Sequence, residues 1–305
     1  MENNTINLNP QKHPQKRSEE GFNNLVGIEE LKEKLLQTLA ILLDDSTLNN
    51  WQQKHHPKQK LFVVERLKSG VPLIILSGEV GCGKTALAHT VASPLAKKIK
   101  KEVTVYETPS NIRGGGMVGE ISNRISESFK IVAQELEEAQ QGILIIDEAD
   151  DIGTSRAQNQ AHHEDRTGLN TLIKELDQIR LNRKKLAVIL ITNRVEVLDP
   201  ALLRRAGLHL KFERPKKGQL ADVFEHVLKG TNPTAPELKE LTTTAANKSH
   251  SFSYSDLIQR AAEISLYNAI QNDQAFGAKV LNEVLKDIDP TPLIEKPTIE
   301  NMNKK

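Results

Sequence analysis

From residue 73 to 91 the chain reads LIILSGEVGCGKTALAHTV: an apolar run, Leu73–Leu76, a loop with glycines at 78, 81 and 83, and a helical segment, Ala86–Val91. A strand that is apolar throughout is buried on both faces, and a helix starting within a few residues must cover one of them. This stretch alone commits the chain to α/β layering. The same alternation recurs, with apolar runs at Val103–Tyr106, Ile143–Ile146, Leu186–Ile191 and Leu208–Phe212. Between them Ile121, Ile125, Phe129, Val132 and Leu136 fall on one helical stripe, and Leu169, Leu172, Ile173, Leu176 and Ile179 on another. The expected core is therefore a parallel five-stranded sheet sandwiched by helices.

Upstream, Ile28, Leu31, Leu35, Leu39 and Leu42 make a helical stripe, and residues 46–70 read as a connector with some helix around Leu61–Leu67. Downstream of about residue 216 only helical spacing remains, as in Leu220, Val223, Phe224 and Val227, then Leu257, Ala261, Ile264 and Leu266. The predicted divisions are a disordered tail over 1–21, a large α/β subdomain over 22–214, a small all-α lid over 215–289 and a flexible tail over 290–305. Residues 1–21 are rich in Asn, Gln, Lys and Glu and carry too few apolar side chains to offset the entropy of ordering.

Composition narrows the functional classes. Lys plus Arg number 41 against 40 Asp plus Glu, a formal charge of +1, which excludes a general polyanion-coating protein. Cys82 is the single cysteine, so no intrachain disulfide forms. The opening residues carry no signal-peptide core, and no apolar run reaches the roughly 18 residues of a membrane helix. A cytoplasmic protein that does not span a membrane is expected.

The run GEVGCGKT, Gly78–Thr85, matches G-x-x-x-x-G-K-[ST] in the strand–loop–helix setting that a phosphate loop requires. Its glycines let Gly78, Glu79, Val80, Gly81, Cys82 and Gly83 curl so that backbone N–H groups face inward, while the helix opening at Lys84, Thr85 and Ala86 presents its positive end. Lys84 brings charge to the β- and γ-phosphates and Thr85 a hydroxyl ligand for Mg²⁺. Cys82 is a small spacer. In ILIIDEAD, Ile143–Asp150, an apolar strand ends in Asp147 and Glu148. Asp147 is placed for the Mg²⁺ shell and Glu148 to orient or deprotonate water, the parts of a metal-assisted phosphoanhydride hydrolase. The strand Leu186–Ile191 ends in Thr192-Asn193, and Asn193 is a candidate contact to the γ-phosphate; LDPALLRRAG ends a short helix with Arg204 and Arg205, candidate arginine fingers toward a neighbouring subunit.

Taken together, these residues resemble the AAA+ ATPases, over about residues 22–288. FNNLVGIEELKEKL, with Val26 and Gly27, looks like the segment that contacts adenine in that family, GEVGCGKT like its Walker A and LIIDEAD like its Walker B. TNRVEVLDPALLRRAG resembles sensor 1 and the second region of homology, and FSYSDLIQRAAEISLYNAI the lid helix. The resemblance implies an ATP-dependent ring of identical copies, commonly a hexamer, with sites between subunits. SNIRGGGMVGEISNRISESFKIV resembles a first pore loop, in which Met117, Val118 and Gly119 would grip a polypeptide, and SRAQNQAHHEDR, with His162 and His163, a second.

From Ser155 through EDRTGLNTLIKELDQIR to LITN the chain most resembles the pachytene-checkpoint branch, remodellers of HORMA-domain proteins. Bacterial members of that branch accompany a HORMA protein and a nucleotidyltransferase in antiphage operons, which implies those partners here. Where that branch has a sensor 2 arginine, this chain has Ser253-Tyr254-Ser255-Asp256, and no second arginine follows Gly207 to settle the finger between Arg204 and Arg205. Two other readings are a nucleic-acid loader or replication ATPase and a nucleotide-gated scaffold. The first is disfavoured by MVGE, which lacks a basic residue although Arg113 and Arg124 lie nearby, and the second by Glu148.

Overall fold

The computed structural model describes residues 6–109, 120–136, 140–153, 163–181 and 185–293. Among these, six strands form one sheet in the order β1-β3-β4-β5-β2-β6. They are β1 (Gln11–His13), β2 (Leu73–Gly78), β3 (Val103–Glu107), β4 (Gln141–Ile146), β5 (Leu186–Thr192) and β6 (Ala206–Phe212). The pairs β2·β5, β3·β4 and β4·β5 are parallel, and β1 runs antiparallel to β3. Helices α1 (Lys16–Asn23), α2 (Glu29–Leu43), α3 (Asp45–His55) and α4 (Phe62–Lys68) precede β2; α5 (Lys84–Thr90) and α6 (Ala92–Ile99) lead to β3. Then come α7 (Glu120–Glu135), α8 (Asp150–Gly153), α9 (His163–Leu181) and α10 (Pro200–Leu203), and after the sheet α11 (Lys217–Val227), α12 (Ala235–Ala246), α13 (Ala262–Gln271) and α14 (Ala278–Asp287).

Two compact units divide the chain. One holds the residues up to Gly78 with Lys84–Lys211; the other holds Glu79–Gly83 with the chain from Phe212 onward. In the first, Leu73, Ile75, Leu144, Val188 and Leu190 are fully buried and share a core with Ile121, Ile125, Phe129 and Val132 of α7 and Leu169, Leu172 and Leu176 of α9. The alternate strand residues Ile74, Leu76, Ile143, Ile145 and Ile189 are also fully buried, so the sheet is covered on both faces, as its unbroken apolar strands require. Each such side chain contributes about 1.5–3 kcal/mol relative to exposure. Helices α7 and α9 meet at Gly168, where an added Cβ would lie 2.7 Å from Ile121 Cγ2.

Two expectations are corrected. Residues 1–21 were expected as a disordered tail and the sheet as five-stranded; instead Gln11–His13 pairs with Val103–Val105 and α1 begins at Lys16. Ile6 and Leu8 are buried, and Glu107 N donates to Leu8 O at 3.1 Å. The segment orders because the free edge of β3 supplies backbone partners and a few apolar anchors suffice once that edge exists. Buried His13 and Gln15 both engage Ser93 Oγ, at 2.8 and 2.9 Å, and Lys97 pairs with Glu19 of α1 at 2.5 Å. The connector over 46–70 carries α3 in addition to the helix expected around Leu61–Leu67, which is α4.

In the second unit a π-helical stretch, Asp256–Ala261, runs into α13. Phe224, Leu241, Phe252, Leu257, Leu281 and Leu285 are among the buried apolar residues of this unit. A capping box starts α12, Thr234 N donating to Glu237 Oε2 at 2.7 Å. The flexible tail expected from 290 is also corrected in part. Thr291 and Pro292 are fixed through their carbonyls to the buried Arg214, and Thr291 also bonds Asp256. The residues from 294 onward lie outside those described.

Candidate active site

Parallel strands place their carboxyl ends on one edge, and here Ser77 of β2 stands beside Thr192 of β5 while Ile146 of β4 stands beside Leu190. The loop after β2 and the turns after β4 and β5 therefore emerge together. Gly78, Gly81 and Gly83 adopt positive φ of 127°, 70° and 90°, the left-handed values that glycine takes without strain. Lys84 is buried at 5% exposure, and its Nζ donates to Gly78 O at 2.9 Å. The ammonium is thus held at the mouth of the loop that it closes. Cys82 is buried within the same loop.

Thr85 Oγ1 donates to Asp147 Oδ2 at 2.9 Å, which joins the start of α5 to the end of β4. A hydroxyl and a carboxylate converging in this way form a hard-oxygen pair suited to Mg²⁺, with further ligands to come from phosphate and water. Among the described residues no group of three or more His, Cys, Asp and Glu could hold a metal alone. Asp147 Oδ1 accepts from Glu148 N at 2.7 Å, and Glu148 is exposed with φ of 52°. A left-handed conformation at a non-glycine residue costs about 1–3 kcal/mol. The turn is pinned from behind by Ala149 N donating to Ile191 O at 2.8 Å.

The end of β5 is tied to the same turn. Thr192 Oγ1 donates to Asp150 Oδ1 at 2.8 Å and accepts from Arg194 N at 2.9 Å. Asn193, between them, is exposed. Asp199 caps α10 through Ala201 N at 2.8 Å and so fixes the helix that ends before the arginine pair. Arg205 donates to Ala201 O at 3.2 Å and to Asp177 Oδ2 of α9 at 3.3 Å. Arg204 is exposed, with Nε donating to Pro200 O at 3.2 Å.

Near the amino terminus Gly27 turns with φ of 75° just before α2, next to half-buried Val26. Lys32 Nζ donates to Leu25 O at 2.9 Å and lies 4.7 Å from the centre of the Phe22 ring, which shapes this entry turn. In the helical unit Ser255 N donates to Gly81 O at 2.9 Å, and a Cβ at Gly81 would stand 2.8 Å from Ser253 Oγ. The serines in the place expected for a sensor 2 arginine thus touch the loop backbone. Met117, Val118 and Gly119, like His162, lie outside the described residues, as does the His163 side chain.

Three pairings were not foreseen from the sequence. Ser77 Oγ meets His209 Nε2 at 2.7 Å, and burial holds that imidazole below its usual value. Thr192 and Asp150 form a polar link between strand ends, and Arg214 reaches Glu79. Only DEAD and ITN carried any signal for the second, as polar residues directly after buried strands; the other pairs bridge segments far apart in sequence.

A family model, ATPase family associated with various cellular activities, matches residues 74–214. CD-NTase-associated protein 6 of Escherichia coli strain KTE188 is 34% identical over 284 residues, covering 92% of this chain and 95% of that relative. A chain of the solved E. coli MS115-1 HORMA:CdnC:Trip13 complex superposes with a TM-score of 0.88 at 30% identity, covering 95% of this chain and 98% of that one. Rhizobiales Trip13 superposes at 0.74 with 29% identity over 93% and 98%. With its glycine-rich loop after β2, its Asp147-Glu148 turn and near full-length similarity to these proteins, the chain belongs to the AAA ATPase family.

Proposed function

We propose that the chain is an ATP-hydrolysing remodeller that works as a ring of identical copies, commonly six, and opens or disassembles a HORMA-domain protein, thereby restraining a nucleotidyltransferase that makes a cyclic oligonucleotide messenger. The observation that carries this reading is the likeness, over 95% of the chain, to a component of the HORMA:CdnC:Trip13 complex. The geometry at the strand ends supplies the chemistry. The loop from Gly78 to Gly83 and Ala86, together with Val26 and Gly27, holds the nucleotide.

Lys84 brings a buried positive charge to the β- and γ-phosphates. Thr85 and Asp147 would hold Mg²⁺, which when bound neutralises phosphate charge. Glu148, exposed and next in the chain to Asp147, takes the proton of the attacking water. Asn193 contacts the γ-phosphate, its turn held by the bond from Thr192 to Asp150. Arg204 is the better-placed finger toward a neighbouring copy, because Arg205 is engaged by Asp177. Met117, Val118 and Gly119 grip the substrate polypeptide.

The test is conversion of a purified HORMA-domain protein from its closed to its open form with Mg-ATP. Conversion that needs ATP, and is lost in Met117→Ala while phosphate release continues, is the expected result. No conversion by the unmodified chain, together with DNA-stimulated phosphate release that falls steeply with salt, would replace this reading with the nucleic-acid one.

A further inference from the structure

Arg214 is 7% exposed, and burying a guanidinium is costly unless its donors find partners; Nη1 and Nη2 find them, while the buried Nε has none. Its Nη1 donates to Ser251 O and Thr291 O, each at 2.7 Å, and its Nη2 to Pro292 O at 3.0 Å. The same Nη2 lies 3.7 Å from Glu79 Oε2. Glu79 follows Gly78 in the phosphate loop, so one side chain spans from that loop to residues some two hundred positions later.

A second path joins the same two places. Thr291 donates to the buried Asp256 through both Oγ1, at 2.5 Å, and N, at 3.2 Å. Asp256 also accepts from Ser253 N at 2.9 Å, and the Ser253 hydroxyl stands where Gly81 leaves no room for a Cβ. The stretch is held at its edges as well, by Arg260 donating to Asp289 O at 2.9 Å and by His250 Nε2 with Thr291 O at 3.0 Å. Surface packing does not need this many charged and backbone bonds to a few residues. Two of these paths lead to the loop, one from Arg214 to Glu79 and one from Asp256 through Ser253 to Gly81.

We propose that residues 289–292 form a strap that positions the phosphate loop, with Arg214 as its positioning residue toward Glu79 and Asp256 toward Gly81. The strap touches no reacting atom. It fixes the backbone whose N–H groups must face the phosphates, so its loss weakens nucleotide binding more than it slows turnover of bound nucleotide. This rests on reading Gly78–Thr85 as the nucleotide cradle, and not on the identity of the protein substrate.

The experiment compares a chain ending at Leu293 with one ending at Ile288, each with and without Arg214→Met. The readouts are the Kd for methylanthraniloyl-ADP with Mg²⁺ and the amide exchange of the peptide containing residues 79–83. Shortening to Ile288 and Arg214→Met should each weaken binding by about tenfold, and the two together by no more than about tenfold, because they break one connection. Exchange over 79–83 should rise in all three. If shortening leaves Kd within about twofold and exchange unchanged, or if the two effects multiply, the strap is overturned.

Thr291→Val covers a folding failure of the truncation, since it removes one strap bond, that of Oγ1 to Asp256, and leaves the loop residues unchanged. A rise of about threefold in the Kd for methylanthraniloyl-ADP with kcat retained supports the connection, and an unchanged Kd overturns the Asp256 path. If the unmodified chain binds no nucleotide, the cradle reading fails while amide exchange still reads the strap.

Discussion

In the sheet unit Leu73–Leu76, Ile143–Ile146 and Leu186–Ile191 bury apolar side chains on both faces, and polar groups follow at once where these three strands stop. In the helical unit some of the most deeply placed groups are polar: Arg214, Asp256, Ser253, Ser265 and Asn282 all lie inside. Hydrophobic burial is non-directional and tolerates replacement by similar shapes, whereas charged hydrogen bonds specify partners by position and fail when one partner is lost. The first unit is therefore a platform. The second owes its specific connections to a few bonds.

The largest expected effect breaks the chemistry and leaves the platform standing. Glu148→Gln should cut phosphate release by about a hundredfold or more while nucleotide still binds, since the proton acceptor is lost and the cradle remains. Near wild-type turnover would remove Glu148 from the mechanism. Leu190→Ala tests the platform itself: its side chain is fully buried in β5, and loss should cost about 2–5 kcal/mol in denaturant unfolding. A cost near zero would mean that the sheet core repacks freely.

Asp256→Asn probes the other kind of stability. Burial alone would raise the Asp256 pKa, but hydrogen bonds from Thr291 and Ser253 outweigh it and hold the carboxyl below its ordinary value. A depressed folded pKa adds stability that is present above the unfolded value of 3.8 and lost as pH falls through the folded one. The asparagine variant should lose about 1–3 kcal/mol at neutral pH and show a smaller fall on acidification than the parent.

The smallest effect belongs to His209. Burial depresses its pKa below 6.5, so the unfolded chain takes the proton first and stability declines as pH drops through 6.5 toward the folded value. Melting curves at stepwise lower pH should show a shallow decline that His209→Gln removes. An identical decline in the variant would assign it elsewhere.

The same contrast explains what the amino-acid order disclosed. Gly78–Thr85 and Ile143–Glu148 were legible because each is a local pattern whose spacing states its own geometry, a buried strand followed at once by groups that need open space. Strand β1 was not, because its order comes from the unpaired edge of β3, and QKH carries no apolar alternation of its own. Nor was the strap. Thr291 and Pro292 resemble any proline-rich tail until Arg214 and Asp256 come to meet them, and contacts between residues that distant leave no periodic trace.

Glu148 has a consequence for protein engineering. Its φ of 52° is a conformation that glycine adopts freely and glutamate resists. Glu148→Gly would relieve backbone strain at the same stroke as it removed the carboxylate, and the variant should melt at a higher temperature than the parent. If Glu148 has the role proposed for it, screens that select for thermostability alone would drift toward an inactive protein at this position. Activity and stability have to be selected together.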